Sequence, residues 1–266
     1  MSKGAKKYIS QFFIWRDMAY LCLNFEIKLK SMKEEFQQWH SPHLDREMKM
    51  LVFGHSGQPI ILFPTTMGRY YENKDFLMME AAKPFIENGS VQIFCPDSIN
   101  ELSWYNKEVH PSIRVHNHVC YDKMIQHEIV EKIRWNTPSG KVAVAGPSFG
   151  GFHAANFAFR HPELVSHLMS MSGAFKINSF LDGYYDENVY FNNPIDYVPD
   201  LNHPDIWKMK IVLGTSEWDI LKEDNVQFSQ ILHAKGIHHW LDMRGQIEHD
   251  WVLWRDMFPE YLSQMN

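Results

Sequence analysis

The chain has 266 residues, of which 45% are hydrophobic, 14% aromatic and 22% charged, and its formal net charge is −6. This apolar and aromatic content excludes a disordered chain and suffices for one large core. The acidic balance gives no electrostatic basis for binding DNA or RNA, so we expect no nucleic-acid partner.

Residues 1–31 are interpreted as an N-terminal extension, with the alternative that Met32 is the natural start. Arg16 and Asp17 interrupt the early apolar run, which argues against a secretory signal, and no stretch is long enough to span a bilayer. The three cysteines are too few for a disulfide framework and lack the paired spacing of a zinc site. We therefore predict a cytoplasmic protein in which residues 32–266 form a single domain.

Short apolar runs alternate with helical patterns from about residue 46 onward. We predict strands at 47–54, 59–63, 91–95, 142–145, 164–171, 211–213 and 237–243, and helices at 110–135, 149–160, 221–235 and from 250 onward. The turn-rich residues 55–58 predict a hairpin between the first two strands. Strands separated by helices indicate an α/β fold, with a mostly parallel central sheet and helices on both faces.

Residues 174–209 break this rhythm, because they are rich in Tyr, Phe, Asn, Asp and Pro and have no clear periodicity. Long irregular stretches inside compact domains are usually functional. We interpret the segment as a lid-like insertion, with a plain surface excursion as the alternative.

A Gly-Pro-Ser-Phe-Gly-Gly motif at 146–151 lies between a predicted strand and the helix that follows it. Gly-x-Ser-x-Gly at a strand–turn–helix junction is typical of the α/β-hydrolase fold, where the sharp turn lifts the serine hydroxyl clear of the sheet. The helix N-terminus beyond it favours developing negative charge. The motif predicts Ser148 as a nucleophile, the alternative being an ordinary Gly/Ser loop.

The serine needs a base, because its hydroxyl is a weak nucleophile until the proton is removed. In this fold the acid and the histidine follow the serine in chain order. His249 lies just before the last predicted helix, and only it among the 15 histidines has both the chain order and the loop position. Asp219, after the strand at 211–213, is the predicted acid, and Glu217 is the reserve.

An oxyanion hole is also required, and it usually supplies a larger electrostatic stabilisation than the base. One backbone N–H is expected from Phe149, directly after the nucleophile, and the other from the loop at 64–68 after an early strand. Thr66 is the predicted donor in that loop and Thr65 the next choice.

Seven segments carry a resemblance to a known family. They are PIILFPTTMG at 59–68, SWY at 103–105, GPSFGG at 146–151, RHPE at 160–163, MSG at 171–173, EWD at 217–219 and HDW at 249–251. Together they resemble the Putative esterase family of α/β-hydrolases, which includes enterochelin esterases, S-formylglutathione hydrolases and mycolyltransferases. The resemblance extends from about residue 40 to the end and implies the same nucleophile, acid, base and backbone donors.

The predicted function is hydrolysis of a small carboxylic ester through an acyl-enzyme intermediate. Trp104, Tyr105 and Tyr184 are predicted to line the substrate pocket. Two alternatives stay open: transfer of the acyl group to an alcohol other than water, and a non-catalytic binding protein on a hydrolase scaffold.

No cofactor and no metal are expected. The pair that could suggest a metal site, His116 and His118, falls in a predicted helix, where residues two apart do not share a face.

Overall fold

The computed structural model of this protein describes residues 32–265, so the predicted N-terminal extension lies outside the described residues. The strands are β1 (Glu34–Ser41), β2 (Arg46–Phe53), β3 (Gln58–Leu62), β4 (Val91–Pro96), β5 (Val142–Pro147), β6 (Val165–Met171), β7 (Lys210–Trp218) and β8 (Trp240–Glu248). They form one sheet in the order β1-β2-β4-β3-β5-β6-β7-β8. The pairs β1–β2 and β2–β4 are antiparallel, and every other neighbouring pair is parallel.

Residues 32–265 contain five helices of ten or more residues, four between strands and one after β8. They are α1 (Met78–Glu87), α2 (Pro111–Met124), α3 (Phe149–Arg160), α4 (Lys222–Ala234) and α5 (Trp251–Ser263). Helix α2 continues into a π-helical stretch, Ile125–Val130. No helix in this part of the chain is long and apolar enough to cross a membrane. The predicted α/β fold with a mostly parallel sheet is confirmed.

Each face of the sheet is covered by its own hydrophobic core. Ile61 and Phe63 belong to one core, whereas Ile60 and Leu62, which alternate with them, belong to the other. Successive side chains of a strand point to opposite faces, so a central strand covered on both sides becomes a continuous apolar run.

The predicted hairpin at residues 55–58 is wrong. The turn is present, but β4 lies between β2 and β3, pairing antiparallel with the first and parallel with the second. Because β3 is buried on both faces, it takes a central position flanked by parallel strands. Strand β1 was not predicted, since its polar sequence at the sheet edge is largely exposed, and α1 was also missed.

The segment at 174–209 is irregular as predicted, with only short helical turns such as Glu187–Tyr190 and Pro194–Tyr197. Part of it is anchored, since Phe175 and Ile177 are fully buried. A lid role for the segment stays a prediction.

A buried carboxylate, Glu128 in the π-helical stretch, ties the antiparallel edge of the sheet to the body of the domain. It accepts hydrogen bonds from Trp39 Nε1 at 2.6 Å and Ser41 Oγ at 2.8 Å. His43 adds its backbone N–H at 3.3 Å and its ring Nδ1 at 2.6 Å. Burial alone would raise the pKa of Glu128, but these hydrogen bonds outweigh it and lower the pKa below its ordinary value.

We expect Glu128→Ala to lower the free energy of unfolding by about 3 kcal/mol, because it leaves several buried donors unpaired. Since the pKa of Glu128 is depressed, its contribution is present at neutral pH and is lost as the pH falls through the carboxyl range. Urea unfolding at pH 7 and pH 4 measures both effects. Glu131→Ala, at an exposed residue nearby, is the matched control, and equal stability of the two variants would contradict the prediction.

Candidate active site

The site is built around a strained bend at Ser148, between the last residue of β5 and the first residue of α3. Ser148 has φ 54° and ψ −122°, a backbone conformation that residues with a side chain rarely adopt. Its N–H donates to Met171 O at 2.8 Å, and its carbonyl accepts from Ala174 N at 3.3 Å. The bend is therefore held from the neighbouring strand β6.

Glycines allow the strand, the bend and the helix to approach closely. A Cβ on Gly146 would lie 2.3 Å from the backbone carbon of Gly150. A Cβ on Gly150 would lie 2.6 Å from Pro64 O and 2.7 Å from Phe63 O. The first turn of α3 thus rests directly on the loop after β3, where the second oxyanion donor was predicted.

The three residues predicted as nucleophile, base and acid are brought together. His249 Nε2 lies 3.0 Å from Ser148 Oγ, and His249 Nδ1 lies 2.8 Å from Asp219 Oδ1. An ionised carboxylate only accepts hydrogen bonds, so Nδ1 carries the proton and Nε2 is left to accept from the serine hydroxyl. Each residue follows a parallel strand, which explains how positions 101 and 30 residues apart meet at one sheet edge.

Asp219 is buried, whereas Glu217, near the end of β7, is exposed. Besides His249, Asp219 accepts from Thr215 Oγ1 at 3.1 Å and from the Leu221 N–H at 2.9 Å. Burial alone would raise the pKa of the Asp219 carboxyl, but its hydrogen bonds, led by the one from His249, outweigh burial and lower it. The structure therefore pairs the histidine with Asp219 and leaves Glu217 out.

Two residues to which the sequence analysis gave no role support this arrangement. The Trp254 ring packs edge-on against the His249 imidazole, with 5.0 Å between centroids, and its Nε1 donates to Ser172 Oγ at 2.9 Å. Ser172 in turn helps to lower the pKa of Asp219. A tryptophan inside a predicted helix, or a serine at a strand end, gives no signal by which sequence alone could assign it this position.

The two predicted backbone donors, Phe149 and Thr66, differ from Thr65 in their hydrogen bonding. Within residues 32–265, the N–H groups of Phe149 and Thr66 donate to no protein acceptor. The Thr65 N–H differs, because it donates to Glu72 Oε2 at 2.8 Å. This contact makes Thr66 the available donor of the loop.

The three predicted pocket residues have different surroundings. Trp104 is 0% exposed within an aromatic cluster, so its side chain is not accessible in this structure, and its place in a pocket lining stays a prediction. Tyr105 is only partly buried, and its hydroxyl lies 3.2 Å from Thr66 Oγ1 while its ring packs on Phe149. Tyr184 packs at the margin of the same cluster and donates to Asp186 at 2.7 Å.

Several apolar side chains next to the site are exposed. Met67, beside Thr66, is 48% exposed, and Trp218 and Ile220, on either side of Asp219, are 56% and 80% exposed. Exposed apolar patches of this kind often mark binding surfaces.

The two histidines of the His-x-His pair lie in different surroundings, since His116 is exposed and His118 is buried. Among residues 32–265, no group of three or more His, Cys, Asp or Glu side chains is arranged to hold a metal ion.

Comparison with known proteins gives both a family and a fold. The model of the family described as Putative esterase matches residues 97–265. No curated protein matches the sequence.

Solved structures of the same fold are distant in sequence. An S-formylglutathione hydrolase from Agrobacterium tumefaciens aligns with TM-score 0.69 and 13% identity, over 88% of this chain and 96% of that one. MPT51 from Mycobacterium tuberculosis aligns with TM-score 0.67 and 16% identity, over 88% of this chain and 98% of that one. A ferulic acid esterase from Anaeromyces mucronatus aligns with TM-score 0.63 and 13% identity, over 88% of this chain and 90% of that one. At these identities the structural likeness establishes the α/β-hydrolase fold.

We expect Gly150→Ala to lower the free energy of unfolding by about 2 kcal/mol, because the new methyl group would meet backbone carbonyls that cannot rotate away. Urea unfolding monitored by tryptophan fluorescence measures the change. Gly245→Ala is the control, since a Cβ there meets nothing within 4 Å. If the two alanine variants were equally stable, the close approach of α3 to the loop would not be a constraint.

Proposed function

This chain belongs to the Putative esterase family, and we propose that it is a serine hydrolase that cleaves a carboxylic ester through an acyl-enzyme intermediate. The observation that carries the proposal is the continuous hydrogen-bond chain from Ser148 Oγ through the His249 imidazole to the Asp219 carboxylate, with links of 3.0 and 2.8 Å. This arrangement generates a nucleophile at neutral pH.

In the proposed reaction, Ser148 Oγ attacks the ester carbonyl while His249 Nε2 takes its proton. The imidazolium is stabilised by Asp219, which stays ionised because its pKa is lowered. When the tetrahedral intermediate collapses, His249 gives the proton to the departing alcohol and leaves an acyl-serine. Water then attacks the acyl carbon while His249 removes its proton, and when this second tetrahedral intermediate collapses, His249 returns the proton to Ser148 Oγ and the acyl group leaves as a carboxylic acid.

The negative oxygen of each tetrahedral intermediate would be bound by the N–H groups of Phe149 and Thr66. Phe149 supports this role because the first N–H groups of a helix have no partner within it, and because the helix N-terminus favours negative charge. Preorganised donors of this kind contribute strongly, and loss of a single one typically costs about 10²- to 10³-fold in kcat.

The exposed apolar rim supports a substrate with an apolar portion. Met67, Trp218 and Ile220 flank the proposed reaction centre, where the acyl or alcohol group of a bound ester would extend. A small uncharged ester fits this surface, and p-nitrophenyl esters are therefore suitable probes.

We expect Ser148→Ala to lose about 10⁵-fold or more of the turnover of short-chain p-nitrophenyl esters, because no other group replaces the nucleophile. A fluorophosphonate, which labels activated serines, should modify the wild-type protein once and leave this variant unmodified, as measured by intact mass. Ser139→Ala, at an exposed loop serine, is the control. Full activity of Ser148→Ala would falsify the proposal, and labelling that persists would identify a different nucleophile.

The acid is tested by comparing Asp219→Asn with Glu217→Gln. We expect a loss of about 10³- to 10⁴-fold in kcat for the first, because an amide no longer holds the required histidine tautomer or stabilises its charge. Glu217→Gln should stay within about twofold, since that side chain is exposed and the imidazole is bonded to Asp219 instead. A larger loss at Glu217 would overturn the assignment.

A further inference from the structure

Glu72 has a bonding arrangement that the proposed mechanism does not use. It begins the short helix Glu72–Asp75 after β3, and both of its carboxylate oxygens are bound by one residue, Thr65. The Thr65 N–H donates to Oε2 at 2.8 Å, and the Thr65 hydroxyl donates to Oε1 at 2.8 Å. Two bonds to the same residue fix the orientation of its peptide as well as its position.

The loop that Glu72 holds is short and strained. Gly68 N donates to Thr65 O at 3.1 Å, which closes a four-residue turn, and Met67 within it has a left-handed φ of 56°. Ser98 Oγ anchors the far end of the turn by donating to Gly68 O at 2.7 Å. A non-glycine residue in this region persists only when its surroundings enforce it.

The Glu72 carboxylate also lies against the turn itself. A Cβ on Gly68 would lie 2.2 Å from Glu72 Oε2, so the carboxylate occupies the space that any larger residue at 68 would need. Thr66, between the two held ends, has its N–H free and its hydroxyl beside Tyr105. The direction of the Thr66 N–H is therefore set by the turn that Glu72 fixes.

We propose that Glu72 is a positioning residue that orients the Thr66 N–H toward the reaction centre and withdraws the competing Thr65 N–H from it. The inference rests on the proposed function, because it concerns the oxyanion site of that reaction. Glu72 does not touch the reacting atoms. Its effect should therefore appear where negative charge develops on the substrate oxygen, and not in the binding of the ground state.

Three variants separate this role from a general loss of stability. Glu72→Ala removes both bonds to Thr65. Glu72→Gln keeps the shape and can still satisfy Thr65, since its carbonyl oxygen accepts from the N–H and its amide donates to the hydroxyl oxygen. Gly68→Ala leaves Glu72 in the chain but displaces its carboxylate with the added methyl group.

For p-nitrophenyl acetate, we expect Glu72→Ala to lower kcat by about 30- to 100-fold with KM changed less than threefold, because misplacement of a catalytic group by about 1 Å costs a factor of this order. The kcat of Glu72→Gln should lie within about fivefold of the wild-type value. Gly68→Ala should resemble Glu72→Ala, and the double variant should lose less than twofold more, since both changes break the same contact. Glu80→Ala, at an exposed glutamate in α1, is the matched control.

A second measurement uses an aryl trifluoromethyl ketone, which forms a hemiketal oxyanion with an active serine. Its inhibition constant should rise in Glu72→Ala by about the same factor as kcat falls, while thermal unfolding shows all variants folded at the assay temperature. If Glu72 only stabilised the fold, this inhibition constant would not rise by a larger factor than KM does.

The inference is overturned if Glu72→Ala keeps its kcat, if KM and kcat change together, or if Glu72→Gln is as impaired as the alanine variant while still folded. Should Glu72→Ala fail to fold, Gly68→Ala decides by the same criteria. Failure of the proposed function is distinguishable, because Ser148→Ala would then be as active as the wild type. If instead Ser148→Ala is inactive and Glu72→Ala is not, only the role of Glu72 is wrong.

Discussion

The bend at Ser148 is the constraint on which the rest of the site depends. Its positive φ forces the chain to leave β5 and enter α3 within one residue, and that reversal exposes the hydroxyl at the edge of the sheet. The same reversal brings α3 so close that any residue larger than glycine at 146 or 150 would have to displace backbone atoms. Strain of this kind costs of order 1–3 kcal/mol per residue and persists only where neighbours enforce it. The bonds to Met171 and Ala174 provide that enforcement.

Parallel strand order then determines what surrounds the bend. Strands β3, β5, β6, β7 and β8 all run in one direction, so the loops after them open at the same edge. Thr66, Ser148, Ser172, Asp219 and His249 each follow one of these strands. Distant parts of the sequence therefore meet without long connections, in accord with the rule that open α/β sheets bind ligands at the carboxyl ends of their strands.

The fold class and the grouping of Ser148, Asp219 and His249 could be predicted from the sequence because both depend on local patterns and on chain order. A Gly-x-Ser-x-Gly motif between a strand and a helix is a local feature, and the order of serine, acid and histidine needs no coordinates. The hairpin at 55–58 was predicted wrongly because the turn is local but the choice of pairing partner is not. The burial of Trp104 could not be predicted for a related reason, since aromatic character does not reveal whether a ring is exposed or packed inside a cluster.

The supporting residues could not be predicted because their positions depend on packing between separate elements. Trp254 reaches Ser172 across 82 residues of sequence. Glu72 is near Thr65 in sequence, yet an acid in a polar loop is ordinarily solvated, and nothing local marks this one as partly buried and bonded to a turn. Such side chains emerge only when the distances between atoms are known.

A contact outside the hydrogen-bond chain joins the segment after Glu72 to helix α5. Phe76, directly after the helix that begins with Glu72, stacks on Trp251 with 4.5 Å between centroids and planes 7° apart. Arg255 Nη1 donates to Phe76 O at 2.9 Å across the same junction. Trp251 packs on Trp254, which packs on His249. The segment that holds the Thr66 turn and the helix that follows His249 thus share one aromatic contact, so the spacing between His249 and Thr66 depends on this packing as well as on the sheet.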